Sequence, residues 1–192
     1  VASPVNPAED VSSINGDRDC TTSDPFKEVF WNPADFFDNR MCSLCGEVGD
    51  FPPDSCGRLL WIGLNEWIHC NCALWSSEVF ELENGALQQI GNALHRGKSL
   101  RCPVCLKKGA TVSCCKSGCK QSYHFLCARE DNCSLLQAQK MFCPRHELSE
   151  RQKDEIQHDM KIGRKVFVDI EWIQKREQKA CVDDITIFVG SL

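Results

Sequence analysis

The chain has 192 residues, is 42% apolar and 26% charged, and carries a formal net charge of −5. That is ordinary composition for a folded domain, and no run of about 18 apolar residues is present to span a bilayer. With neither a basic-then-apolar leader nor an initiating Met, the sequence is expected to be a segment of an intracellular protein with no membrane partner.

Residues 1–40 hold eight acidic residues, three basic residues and four prolines, with no helical or strand period over the first twenty-four. They are expected to be mostly flexible acidic linker. The segment 24–37 differs, because Phe26, Phe30, Trp31, Phe36 and Phe37 carry more apolar surface than a solvated linker needs. It is expected to pack on the module that follows, the alternative being a partner-binding acidic and aromatic motif.

Residues 41–146 hold a recurring pattern. Cys42 and Cys45, His69 and Cys72, Cys102 and Cys105, His124 and Cys127, and Cys143 and His146 are pairs separated by two residues. A disulfide framework has no use for His at fixed offsets from Cys, whereas zinc takes thiolate and imidazole together in tetrahedral sites with bonds of roughly 2.0 to 2.3 Å. Two intervening residues allow a tight turn to aim both side chains at one ion. With Cys119 and one of the neighbours Cys114 and Cys115, the set reaches twelve ligands, enough for three closed zinc sites. An iron–sulfur centre is disfavoured by the three histidines, one per site. Twelve protein ligands leave no position open to water, so the ions are structural, and no Ser/His/Asp or Cys/His catalytic set survives because the relevant Cys and His are committed to metal. Folding and metal binding are expected to be one event, because residues 100–146 are poor in large apolar side chains.

Between the first four ligands and the next eight, Leu87, Ile90 and Leu94 recur at helical spacing with Gly97 as a stop, which predicts a bridging helix over 86–95. His95, near the end of that helix, lies outside the ligand pairs and is expected to be a solvated or dipole-stabilised histidine, not a ligand. Residues 147–164 are expected to form a charged, solvated connector with Ser149 and Gln152 as a capping box. "KVFVDI" and "ITIFV", within 165–192, are expected to be strands that open a further domain.

Spacing alone leaves the eight later ligands free to pair sequentially or in an interleaved cross-brace. "MCSLCGEVGD", "GRLLWIGLNEWIHCNCALWSSEVF", "RGKSLRCPVCLKKGATVSCCKSGCKQSYHFLC" and "MFCPRH" together resemble an extended PHD finger. That module is a zinc knuckle fused to an atypical PHD, as in the trithorax and mixed-lineage-leukaemia family of histone lysine methyltransferases. The resemblance implies a small zinc-stabilised α+β fold with the knuckle over 41–75 and the PHD over 100–146. It implies a cross-brace that joins Cys102, Cys105, His124 and Cys127 in one site and Cys114, Cys119, Cys143 and His146 in another. It makes Cys114 the ligand and Cys115 the bystander, and it implies that 165–192 is the truncated start of an FY-rich domain. A nuclear chromatin regulator is implied too, with the methyltransferase activity in a SET domain absent from this chain.

A RING-type ligase is disfavoured by the four-residue gaps from Cys114 to Cys119 and from Cys119 to His124. A methyl-lysine cage is disfavoured as well. The second half offers only Tyr123, Phe125 and Phe142 as aromatics, and Met141 stands where a caging PHD finger commonly has Trp. Residues 84–129 contain no Asp or Glu but carry Arg96, Lys98, Arg101, Lys107, Lys108, Lys116, Lys120 and Arg129. The first seven are candidate nucleic-acid contacts, with double-stranded DNA, a histone tail or the nucleosome as partner. The rival class is a protein-interaction scaffold that holds the FY-rich domain or a cofactor protein without touching nucleic acid.

Overall fold

The computed structural model describes residues 38–189, with side chains described through residue 181. The aromatic segment 24–37 and nearly all of the acidic linker lie outside the described residues.

The knuckle half begins with a hairpin of β1 (Leu59–Trp61) and β2 (Trp67–His69), paired antiparallel with Leu60 opposite Ile68. Leu64 and Asn65 take φ of 54° at its tip, the left-handed pair whose twist suits a tight hairpin. Ile62 and Ile68 point inward and are fully buried. Helix α1 (Cys70–Leu74) follows with no intervening loop, and all five of its residues are buried.

Next come β3 (Phe80–Glu81) and β4 (Ala86–Gln88), antiparallel, and helix α2 (Ile90–Gly97). The helix expected over 86–95 is thus displaced: its first three residues are strand, and the helix runs on to Gly97. The cause is pairing, since β4 is bonded on both sides, to β3 and in parallel to β9 (Phe167–Val168). Gln89 at φ 65° breaks the extended run before the helix starts. Leu87 is therefore buried by the sheet, while Ile90, Ala93 and Gly97 make the buried stripe of α2.

The PHD half repeats the hairpin-then-helix plan. Strands β5 (Val112–Ser113) and β6 (Ser122–Tyr123) pair antiparallel, α3 (Phe125–Glu130) follows, and β7 (Ser134–Leu136) pairs with β8 (Lys140–Phe142). The halves share one core: Trp75 of the knuckle lies 6.1 Å from Phe125 of the PHD half, ring centre to ring centre. Each large side chain buried there contributes roughly 1.5–3 kcal/mol.

The expected solvated connector is only partly that. Helix α4 (Glu150–Asp154) has the capping box, with Ser149 Oγ accepting from Gln152 N–H and the Gln152 side chain accepting from Ser149 N–H. The chain then turns back. Ile156 bridges to Leu136, Gln157 N–H donates to Leu135 O at 2.7 Å, and Met160 and Val166 are buried. Arg58 donates to Val166 O at 2.6 Å, and Asn71 Nδ2 to Met160 O at 3.2 Å, which ties this segment to the knuckle.

Of "KVFVDI" only Phe167–Val168 is strand, and "ITIFV" continues helix α5 (Ile170–Val189). The expected second strand is overridden by the helix-forming run Glu171–Ala180 that precedes it. At its start Ile173 is buried, and Arg176 reaches Ile62 O at 2.7 Å and pairs with Glu66. No described helix is long and apolar enough to cross a membrane.

Candidate metal centres

The fold gathers the sequence-predicted ligands into three groups: Cys42, Cys45, His69 and Cys72; Cys102, Cys105, His124 and Cys127; and Cys114, Cys119, Cys143 and His146. Within each group the four donor atoms lie within 4.8 Å of one another. The second and third groups interleave along the chain. The adjacent pair is split: Cys114 is in the third group, and Cys115 is exposed with its Sγ turned to Ser113 O at 4.0 Å.

One local device builds the first two groups. A strand leads into a histidine that serves as the N-cap position of a helix, and the helix's first turn carries the cysteine three residues on. His69 stands between β2 and α1, and His124 between β6 and α3. The paired cysteines come from matching loops. Cys42 N–H donates to Glu47 O at 3.0 Å, and Cys102 N–H to Lys107 O at 2.9 Å, each closed by a short bridge, Met41 to Val48 and Arg101 to Lys108.

The histidines are oriented from behind. His69 Nε2 meets Gly49 O at 2.8 Å, and His124 Nε2 meets Lys108 O at 2.8 Å. A carbonyl at Nε2 fixes the proton there and leaves Nδ1 free as a ligand. Nδ1 of His69 is 3.3 Å from Cys45 Sγ, and Nδ1 of His124 is 3.2 Å from Cys105 Sγ. In the third group Cys119 and Cys143 sulfurs are 3.9 Å apart, and His146 Nε2 is buried with no hydrogen-bond partner. Four donors around one zinc stand about 3.3 to 3.8 Å apart. These spacings, and an otherwise orphaned imidazole nitrogen, fit zinc at all three sites. Bound zinc ties two chain segments together at each site.

In the first site the sulfurs and the imidazole act strongly on one another's protonation. A hydrogen bond from Cys42 leads the effects that hold Cys45 down at about 6, while hydrogen bonds with its sulfur neighbours push Cys72 well up. Burial pulls His69 down, but hydrogen bonds to Cys42 and Cys45 outweigh it and lift the imidazole to about 10. Backbone N–H groups also point at sulfur: His69 N–H at Cys42 Sγ and Cys143 N–H at Cys114 Sγ, both at 3.4 Å. Such donors stabilise the anionic ligand.

The chain matches the family described as a PHD-like zinc-binding domain over residues 69–147. It is 43% identical over 159 residues to human histone-lysine N-methyltransferase 2B, covering 81% of this chain and 6% of that protein. It is 34% identical over 160 residues to Drosophila virilis histone-lysine N-methyltransferase trithorax, covering 81% of this chain and 4% of that protein. The chain carries a PHD-like zinc finger of the trithorax methyltransferase type. It spans only a few per cent of the length of these relatives. It is also 35% identical over 139 residues to bovine PHD finger protein 11, covering 64% of this chain and 39% of that protein.

Among the candidate nucleic-acid residues of this finger, Arg96 is corrected. It forms an ion pair with Glu78, which lies just before the acid-free stretch, and donates to Ser113 Oγ at 2.8 Å and Thr111 O at 2.6 Å. It is a strut between the two halves, not a free cation. Lys98, Arg101, Lys107, Lys108, Lys116 and Lys120 are exposed. Arg101 and Lys108 are bridged neighbours, and Lys98 and Lys108 line one cavity of about 450 Å³ with Ser43, Leu94 and Arg176. Lys116 and Lys120 flank Cys119 on the third site's loop. Tyr123, Phe125, Met141 and Phe142 are all buried, so none of them lines an open cage. Sequence reasoning missed Cys56, which is fully buried beside the first group. Its spacing carried no signal, because it reaches the site from a loop.

Proposed function

We propose that the finger is a chromatin-binding module of a nuclear histone-lysine methyltransferase and that it contacts double-stranded DNA on the nucleosome. In this reading the catalysis belongs to a SET domain elsewhere in the parent protein. The observation that carries the proposal is the set of exposed cations Lys98, Arg101, Lys107 and Lys108, with Lys116 and Lys120 on the neighbouring zinc loop. None of the six forms an ion pair among the described residues. Unneutralised cations release counterions from the phosphate backbone on binding.

The test is a salt titration of zinc-loaded protein with duplex DNA and with histone-tail peptides. Four to six phosphate contacts give a slope of log K against log salt of roughly −4 to −5, and Lys107→Ala with Lys108→Ala lowers its magnitude by about 2. Absence of binding to DNA and to every histone peptide at low salt overturns the reader function.

A second reading is a docking scaffold for a following domain or a cofactor protein. It is favoured by residues 156–176, which pack back on both halves through Leu135, Asn71, Arg58 and Ile62. Retained binding of such a protein by the lysine variants distinguishes the two.

A further inference from the structure

Cys56 belongs to no ligand pair, yet it is completely buried and its Sγ lies 3.8 Å from that of Cys72. The loop that carries it is held at both ends of the approach. Cys56 O accepts from Asn71 N–H at 3.0 Å, one residue before Cys72, and Ser55 O accepts from Asn71 Nδ2 at 2.6 Å. Ser55 N–H and Gly57 N–H both donate to Pro52 O, which closes the turn around the cysteine. The sulfur is therefore carried to the site by fixed backbone. Its distance from Cys72 Sγ is about that between two thiolates on one zinc ion, and far above a disulfide bond of about 2.0 Å.

The other unassigned cysteines next to ligands do not share this placement. Cys115 adjoins Cys114 in sequence but faces solvent. Cys70 adjoins His69 but turns to the opposite side, against Gly57 and a small cavity lined by Arg58 and Ile162.

We infer that Cys56 is a reserve ligand of the first zinc site, able to take the corner held by Cys72 when that thiolate is lost. The inference rests on the zinc reading of the first group. While Cys72 is bound, the Cys56 sulfur shares a hydrogen bond with the Cys72 sulfur and holds no corner of the site itself. When Cys72 is gone, the Cys56 S–H bond breaks, its proton leaves to water, and the freed sulfur lone pair forms the new zinc–sulfur bond. The site again has three thiolates and one imidazole, so its charge does not change.

The test counts zinc per chain by native mass spectrometry, with cobalt substitution to count thiolates. Wild type and Cys56→Ser bind three ions, Cys72→Ser also binds three, and Cys56→Ser with Cys72→Ser binds two. Cobalt-loaded Cys72→Ser keeps the wild-type thiolate-to-metal charge-transfer intensity. Two ions in Cys72→Ser, three in the double variant, or a charge-transfer band reduced by one thiolate's share overturns the inference. Wild type with fewer than three ions overturns the zinc reading itself. A kinetic measurement avoids the Cys72 variant: Cys56→Ser, which keeps a hydrogen-bond donor, loses its first zinc to a chelator about tenfold faster than wild type. Equal release rates overturn the inference.

Discussion

Gly109→Ala strikes the joint between the knuckle and the PHD half. Gly109 has φ +102°, and a Cβ there would sit 1.8 Å from Leu44 O, 2.8 Å from Leu44 C and 3.2 Å from His124 Nε2. Its N–H is shared between Gly97 O at 2.9 Å and Leu100 O at 3.1 Å, so the residue is pinned from the other side. The backbone conformation costs alanine about 1–2 kcal/mol. The overlap is with a main-chain carbonyl in the first zinc loop, and displacing it adds about 1–3 kcal/mol. The expected loss is therefore about 2–5 kcal/mol, a large part of a typical domain's 5–15 kcal/mol. Denaturant unfolding of zinc-saturated protein measures it. Gly118→Ala is the control, because Gly118 has φ +78° but nothing within 4 Å of a Cβ, and it loses only the conformational part, about 1–2 kcal/mol. Since Lys108 O orients His124, Gly109→Ala also gives up its second-site zinc first on chelation. Equal losses for the two variants would refute the close-contact reasoning.

Cys114→Ser is expected to lose one zinc and the fold around residues 112–143, whereas Cys115→Ser keeps three zincs; metal content and circular dichroism decide it. Arg96→Ala is expected to destabilise by about 2–3 kcal/mol, since it leaves Glu78 without its partner and takes one of the donors from Thr111 O, while Lys107→Ala changes stability by less than about 0.5 kcal/mol. Equal effects of these two in denaturant unfolding would restore Arg96 to the free surface. Truncation after residue 147 removes the cover that Met160, Val166 and Ile173 give the knuckle, and it is expected to cost several kcal/mol and leave three zincs bound. The Arg40 side chain, by hydrogen bonding, holds the Asp38 carboxyl down at about 2. A depressed acid adds stability above its ordinary value near 3.8 and loses it as pH falls through 2, so Arg40→Ala is expected to return the carboxyl NMR titration toward 3.8.

The metal centres were the legible part of this chain. Metal ligation imposes chemistry and short-range spacing together, and both survive in one dimension. The secondary structure around them was less so, for reasons that involve distant partners. Residues 86–88 have a helical period but become strand because Phe167 and Val168, eighty residues on, pair with them. "ITIFV" has strand composition but follows a helix already under way. The acid-free stretch holds no counter-charge of its own, yet Glu78 reaches Arg96 from outside it, and sequence separation hid the pair. Cys56 was hidden in the same way.

The placement of the cations also bears on the strength of the proposed DNA contact. Lys107 and Lys108 follow Cys105 on the second zinc loop, and Lys116 and Lys120 bracket Cys119 on the third. A zinc ion with three thiolates and a neutral imidazole carries one net negative charge, so each of these loops sets its lysines against a fixed anionic centre. Part of the positive potential that composition suggests is spent locally, and the chain's formal −5 is deepened by the bound sites. Lys98, the C-cap of α2, lies outside those loops, whereas Arg101 directly precedes Cys102 and donates to Leu106 O within the second loop. Lys98 is therefore the cation least offset by zinc-bound sulfur. A phosphate-facing surface built this way has its strongest contact at Lys98, and it binds through a few screened charges within about 10 Å of the backbone. Replacing Lys98 should therefore weaken DNA binding more than replacing Lys120, although the two carry the same formal charge.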